Sequence, residues 1–96
     1  MTSVEENNQP EFSLLNNYPN PFNPSTTIHF TLAESGQIQL MVYSISGQLI
    51  SILIDDWQES GIHTIEWAPK ELSSGVYFVR LRQNRHIETI KILYMK

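Results

Sequence analysis

Hydrophobic residues recur at every second position along most of this chain. Thr26, Ile28, Phe30 and Leu32 alternate with Thr27, His29 and Thr31, the pattern of a strand with one buried face. Ile38, Leu40 and Val42 alternate with Gln39, Met41 and Tyr43, and the character of Met41 and Tyr43 predicts that the second face of this strand is partly covered too. Leu49 to Ile54 is a nearly unbroken apolar run whose length and β-branching assign it to a strand. His63, Ile65 and Trp67 then alternate with Thr64 and Glu66, Tyr77, Val79 and Leu81 with Phe78, Arg80 and Arg82, and Ile90, Ile92 and Tyr94 with Lys91, Leu93 and Met95. Phe12 to Leu15 forms one further short apolar cluster, the length of an edge strand.

Glycines punctuate these runs. All four follow a serine, in Ser35-Gly36, Ser46-Gly47, Ser60-Gly61 and Ser74-Gly75, and each pair falls where a tight turn needs a positive φ. Asn84, the next most tolerant residue, takes that place before the last run. Only Ala68-Pro69-Lys70-Glu71-Leu72 could make a helical turn, with Pro69 in its first position. A βαβ fold needs long amphipathic helices between strands, and the chain has none. The expectation is an all-β fold, an immunoglobulin-like antiparallel β-sandwich of about seven strands without a disulfide.

Ahead of the periodic region stands Tyr18-Pro19-Asn20-Pro21-Phe22-Asn23-Pro24-Ser25-Thr26, which holds three of the five prolines. Each proline lacks an N–H, fixes its own φ and disfavours helix at the residue before it, so this stretch is expected to be a stiff, extended rail where the fold begins. Tyr18 and Phe22 are expected to pack against the sandwich and hold the rail down. Residues 1–11 are polar and acidic, with one internal aliphatic side chain, Val4; they read as a disordered linker remnant, with Met1 the start of a module excised from a longer chain, and residues 12–96 read as the β-sandwich.

Ninety-six residues suffice for one domain with a modest core. Six basic against ten acidic residues give a formal charge of −4, and no Lys/Arg cluster interleaves with aromatics, which argues against a nucleic-acid partner. No apolar run approaches the ~20 residues of a membrane-spanning helix, so membrane insertion is not expected. The chain has no cysteine, hence no thiolate metal site and no thiol nucleophile.

Catalytic readings find little support. His29, His63 and His86 lack the spacing of a zinc site; His29 and His63 could meet across adjacent strands, but without a third ligand. Asp55, Asp56 and Glu59 read as a solvated acidic turn that lacks the glycine-bearing spacing of a calcium loop. No nucleophile-elbow pattern is present. No enzymatic activity, metal or cofactor is therefore expected.

Taken together, Tyr18-Pro19-Asn20-Pro21-Phe22-Asn23-Pro24-Ser25-Thr26-Thr27-Ile28, Val42-Tyr43 with Gly47, Gly61-Ile62-His63 leading to Trp67, Leu72-Ser73-Ser74-Gly75-Val76-Tyr77-Phe78 and the terminal Lys91 to Lys96 look like the type A C-terminal sorting domain of type IX secretion substrates. The resemblance runs from about Phe12 to Lys96. The immunoglobulin-like domain of flagellar hook-capping proteins is similar in its Val-Tyr and Ser-Gly-Val-Tyr features, and closure of the last strand by a lysine is the feature that favours a sorting domain.

The resemblance implies a recognition event and no reaction. Such a domain follows an N-terminal cargo domain, folds in the periplasm of Bacteroidetes-type bacteria, is recognised by the outer-membrane translocon, and is commonly removed by a sortase-like peptidase as cargo reaches the surface or medium. Candidate recognition residues are Lys91, Leu93, Met95 and Lys96 on a terminal edge strand with free backbone groups, Pro19, Asn20 and Pro21 on the rail, and Gly75 and Tyr77 in the Ser-Gly-Val-Tyr turn. Tyr77 is expected to be buried with its hydroxyl bonded to backbone. The lysines also suit an edge strand that must resist aggregation. The alternative function is a carbohydrate-binding or structural accessory module of a secreted enzyme, using Trp57, Trp67 and a tyrosine as a stacking platform. Trp67 shares parity with Ile65 and reads as buried, leaving Trp57 alone.

Overall fold

The computed structural model describes residues 12–96, and the expected linker over residues 1–11 lies outside the described residues. Among the described residues seven strands occur in chain order: β1 (Phe12–Tyr18), β2 (Thr26–Leu32), β3 (Gly36–Ser44), β4 (Leu49–Gln58), β5 (Gly61–Trp67), β6 (Gly75–Gln83) and β7 (His86–Tyr94). They form a three-stranded sheet in the order β1-β2-β5 and a four-stranded sheet in the order β4-β3-β6-β7. Every pairing is antiparallel. The expected β-sandwich is therefore present, with β4 placed beside β3 so that the sheets divide as three and four.

Alternation decides what is inside. β2 buries Thr26, Ile28, Phe30 and Leu32, β3 buries Ile38, Leu40 and Val42, and β6 buries Tyr77, Val79 and Leu81. Ile92 and Tyr94 of β7 and Trp67 at the end of β5 close the cluster. Each large aliphatic or aromatic side chain removed from water contributes about 1.5–3 kcal/mol before the entropy of ordering it is subtracted. The same parity sends the intervening residues outward, so the inner and outer faces of β2, β3, β5, β6 and β7 follow from the sequence.

β4 explains why its apolar run is unbroken. Its register with β3 slips twice: Leu40 and Met41 face Ile54 and Ile52, and Val42 and Tyr43 face Ser51 and Leu49, leaving Leu53 and Ile50 as extra residues. A bulge shifts the parity of the residues beyond it, so Ile50, Leu53 and Ile54 all lean on the core while Leu49 and Ile52 are exposed. Two bulges also suit an edge strand, where irregularity hinders pairing with another chain.

Three local expectations are corrected. Asp55 and Asp56 lie inside β4 and not in a turn, because pairing with β3 continues to Gln58; the connection to β5 is the short Glu59-Ser60 link. Ala68 to Leu72 makes no helical turn: Glu71 adopts φ +60° and Leu72 packs on the core, and a few residues do not repay the cost of nucleating a helix. Gly36 does not take a positive φ and instead opens β3, where a Cβ would stand 3.1 Å from Gln83 Nε2. Gly47 (φ +93°) and Asn84 (φ +57°) do occupy the left-handed region expected of them.

Candidate functional site

The proline segment leaves β1 after Tyr18 and returns to β2 at Thr26, two neighbouring strands of the three-stranded sheet. Its neck is tied from inside. Buried Asn17 donates from Nδ2 to Thr26 Oγ1 at 3.0 Å and to the Pro19 carbonyl at 3.3 Å, and Thr26 Oγ1 donates to the same carbonyl at 2.8 Å. Just outside the neck, Ser25 Oγ donates to Glu66 Oε2 at 2.9 Å.

Between those ties the segment crosses to the other sheet. Phe22 pairs in parallel with Tyr94: the Phe22 N–H donates to the Leu93 carbonyl at 3.0 Å, and the Met95 N–H donates to the Phe22 carbonyl at 3.1 Å. Asn20 Oδ1 accepts from the Leu93 N–H at 3.0 Å. The expected stiff, non-helical rail is a bent loop that bridges the two sheets, with bends on both sides of Phe22. The expected free edge is corrected at this end of β7. The Leu93 N–H, the Leu93 carbonyl and the Met95 N–H are all taken by the loop: Phe22 serves as a one-residue strand through its own N–H and carbonyl, and the Asn20 side chain accepts from the Leu93 N–H.

Phe22 is the anchor of this arrangement. Its ring is buried 5.1 Å from that of Tyr94 and 5.7 Å from that of Trp67, and Trp67 meets Tyr77 edge-on at 6.5 Å. Each of the four rings comes from a different motif of the sequence. Such tilted and edge-on contacts add about 0.5–1.5 kcal/mol per pair beyond burial. Tyr18, expected to help pin the loop, is 75% exposed instead; the loop turns away after it, and Phe22 alone enters the core.

The Ser-Gly-Val-Tyr turn abuts the same place. Gly75, Val76 and Tyr77 of β6 stand opposite Tyr94, Leu93 and Ile92 of β7. Tyr77 is buried and its hydroxyl donates to the Ser73 carbonyl at 2.7 Å, as expected, while the Lys96 N–H donates to Ser74 Oγ at 2.8 Å. A cleft of about 260 Å³ opens between loop and strand, lined by Asn20, Pro21, Val76, Lys91, Ile92 and Leu93.

The candidate residues therefore divide by what they touch. Asn20, Pro21, Lys91 and Leu93 line the cleft; Pro19, Met95 and Lys96 are exposed beside it; Gly75 and Tyr77 hold the turn beneath. Two participants escaped the sequence reading. Val76 lines the cleft because it is the outward residue between two inward ones, and the backbone of Phe22 pairs with β7, a nonlocal contact that no local pattern signals.

The remaining candidates do not assemble. His29 stands opposite Thr64 and His63 opposite Phe30, so the two histidines project from opposite faces of their sheet. His63 stacks on Phe30 with ring centroids 5.1 Å apart, its Nε2 within 2.6 Å of the Glu59 carbonyl oxygen. Among the described residues no group of three or more His, Cys, Asp or Glu side chains is placed to hold a metal ion. Trp67 is spent in the core and Trp57 is 55% exposed on β4, so the two do not form a stacking platform. Among the described residues no helix is long and apolar enough to cross a membrane.

A family model described as the secretion system C-terminal sorting domain matches residues 16–95. No curated protein and no solved structure matches the chain.

Proposed function

Because the chain belongs to the secretion system C-terminal sorting domain family, we propose that it is a non-catalytic address that directs an N-terminal cargo domain through the type IX outer-membrane translocon. Membership implies export to the cell surface or medium and contact with the secretion machinery. The finer route is the proposal: folding in the periplasm, recognition by the translocon, then handling by its sortase-like peptidase at the outer-membrane surface.

The observation that supports it is convergence. Three motifs separated by up to about seventy residues of chain meet at one end of the sandwich and share one cleft. Pro19, Pro21, Lys91, Leu93, Met95 and Lys96 supply the surface to be read. Asn20 positions the loop against β7, and Gly75 and Tyr77 fix the turn that supports Val76. A folded address has to present separated residues in a fixed relation, and here loop, turn and strand are cross-tied by hydrogen bonds near 3 Å.

The test is to place the 96-residue chain behind a fluorescent cargo with an export signal in a type IX-competent host. Cargo at the surface or in the medium is expected. Cargo retained in the periplasm with the domain folded would sink the reading. Asn20→Ala should weaken export by loosening the loop from β7 while leaving the aromatic cluster intact, a separation that a thermal melt checks.

A further inference from the structure

An antiparallel sheet with one face on the core commonly turns a polar face to solvent. The three-stranded sheet does so over most of β2 and β5, where Thr27, His29, Thr31, Thr64 and Glu66 point outward and Ile62, opposite Thr31, is the apolar exception. The four-stranded sheet does not. Reading across its outer face, Leu49, Tyr43, Phe78 and Lys91 form one row, Ile52, Met41, Arg80 and Thr89 the next, and Val76 with Leu93 a third. Met41, Tyr43, Val76, Phe78 and Leu93 are half-buried, and Leu49 and Ile52 are exposed. A contiguous apolar face of this kind marks a place of association.

Its charge is as particular as its apolarity. Arg80, Arg82 and Lys91, three of the six basic residues of an acidic chain, all project from it, against one carboxylate, Asp55, which lies across Gln39 from Arg82 and accepts from Gln37 Nε2 at 3.1 Å. Arg80 lies at the centre and is held there: its guanidinium sits 4.6 Å from the Tyr43 ring centroid, and Nη2 donates to the Tyr43 hydroxyl at 2.6 Å. Tyr43 is a neutral partner that orients this charge without cancelling it. A fixed planar guanidinium amid apolar side chains is suited to a carboxylate, which it can grip through two parallel N–H donors.

We propose that this outer face, centred on Tyr43, Phe78 and Arg80, docks a protein surface of the export machinery that presents carboxylates around an apolar centre. The proposal rests on the sorting reading and names the chemistry of its partner. The face is continuous with the recognition cleft, since Val76, Lys91 and Leu93 belong to both. Toward its other end a cavity of about 340 Å³ takes in Gln37, Gln39 and Arg82, extending the same surface. An anionic lipid surface fits less well. Lipid headgroup sites gather clusters of ~4–8 Lys or Arg, whereas this face carries three, and Ile45 is the one large apolar side chain exposed on the turn that joins β3 to β4.

The same export assay tests this with variants of the 96-residue fusion. Arg80→Glu should lower export by about tenfold or more, as expected when a desolvated charge pair is turned into a repulsion. Ile52→Glu, at an exposed position on the same face, should lower it severalfold with an unchanged melting temperature. Thr64→Glu, on the outer face of the other sheet, should stay within about twofold of the parent, in the range of ordinary surface changes. If the parent fusion is not exported, the sorting reading itself fails. If the parent is exported and Ile52→Glu and a folded Arg80→Glu are exported equally well, the docking face alone is overturned; should Arg80→Glu fail to fold, Ile52→Glu decides. Two further results would also overturn it: Arg80-dependent sedimentation with phosphatidylglycerol vesicles, pointing to lipid, or a concentration-dependent dimer abolished by Ile52→Glu, pointing to a second copy of the chain.

Discussion

Two regions meet at the β6–β7 end of the sandwich and use the same short motifs to opposite ends. Beneath the sheet, Phe22, Trp67, Tyr77 and Tyr94 form a buried aromatic cluster. Above it, Pro21, Val76, Lys91 and Leu93 line an open cleft and lead onto the Tyr43–Phe78–Arg80 face. Neighbours in sequence are divided between the two: Pro21 from Phe22, Val76 from Tyr77, Leu93 from Tyr94. A motif of this kind carries two sets of residues interleaved at a period of two, one that packs the core and one that faces the proposed recognition surface.

Substitutions on either side should separate these two sets. The largest effect belongs to Phe22→Ala, which empties the ring that joins loop to core and should cost about 3–5 kcal/mol. In a domain of this size that lowers the melting temperature by roughly 15 °C or more, with export lost through unfolding. A small shift in a thermal scan would mean that the loop is held by its backbone bonds alone. Next comes Tyr77→Phe, which keeps the ring and removes the hydroxyl that donates to the Ser73 carbonyl; about 1 kcal/mol of stability should go, readable as a shift in denaturant midpoint at constant m-value.

Asn20→Ala is expected to cost about 1 kcal/mol or less, since the Leu93 N–H it leaves lies toward solvent, yet to reduce export more than Tyr77→Phe does. The reverse order would assign recognition to the turn in place of the loop. The smallest stability change should come from Lys91→Gln, an exposed residue whose loss stays within about 0.5 kcal/mol and which therefore reports on the cleft alone. Unchanged export with Lys91→Gln would place the reading surface on the apolar residues and Arg80.

The legibility of the fold obeys the same division. The inward set on β2, β3, β6 and β7 could be read because burial of one face imposes a strict alternation, and Gly47 and Asn84 could be read because few residues tolerate a left-handed φ. Met41 and Tyr43 already signalled that the outer face of β3 is not an ordinary solvent face. The β4 bulges were less accessible, since two register slips make a mixed set of inward residues look like a continuous run. Of the site, Pro19 to Pro21, Gly75, Tyr77 and Lys91 to Lys96 stood out as separate motifs. That the first and last of them touch was not legible, because the Phe22–Tyr94 bridge joins residues some seventy positions apart.

By itself, then, the chain determined what most segments are: strands with inward and outward residues assigned by parity on β2, β3, β5, β6 and β7, left-handed turn positions at Gly47 and Asn84, and a set of motifs belonging to a sorting domain. These are local consequences of backbone geometry and of the cost of leaving apolar surface in water. Only the tertiary structure decided which strands lie side by side, that the proline loop crosses between sheets to cap β7, and that Tyr43 and Arg80, thirty-seven residues apart, meet on one face. Those choices depend on pairing energies between distant segments, which no window of sequence contains.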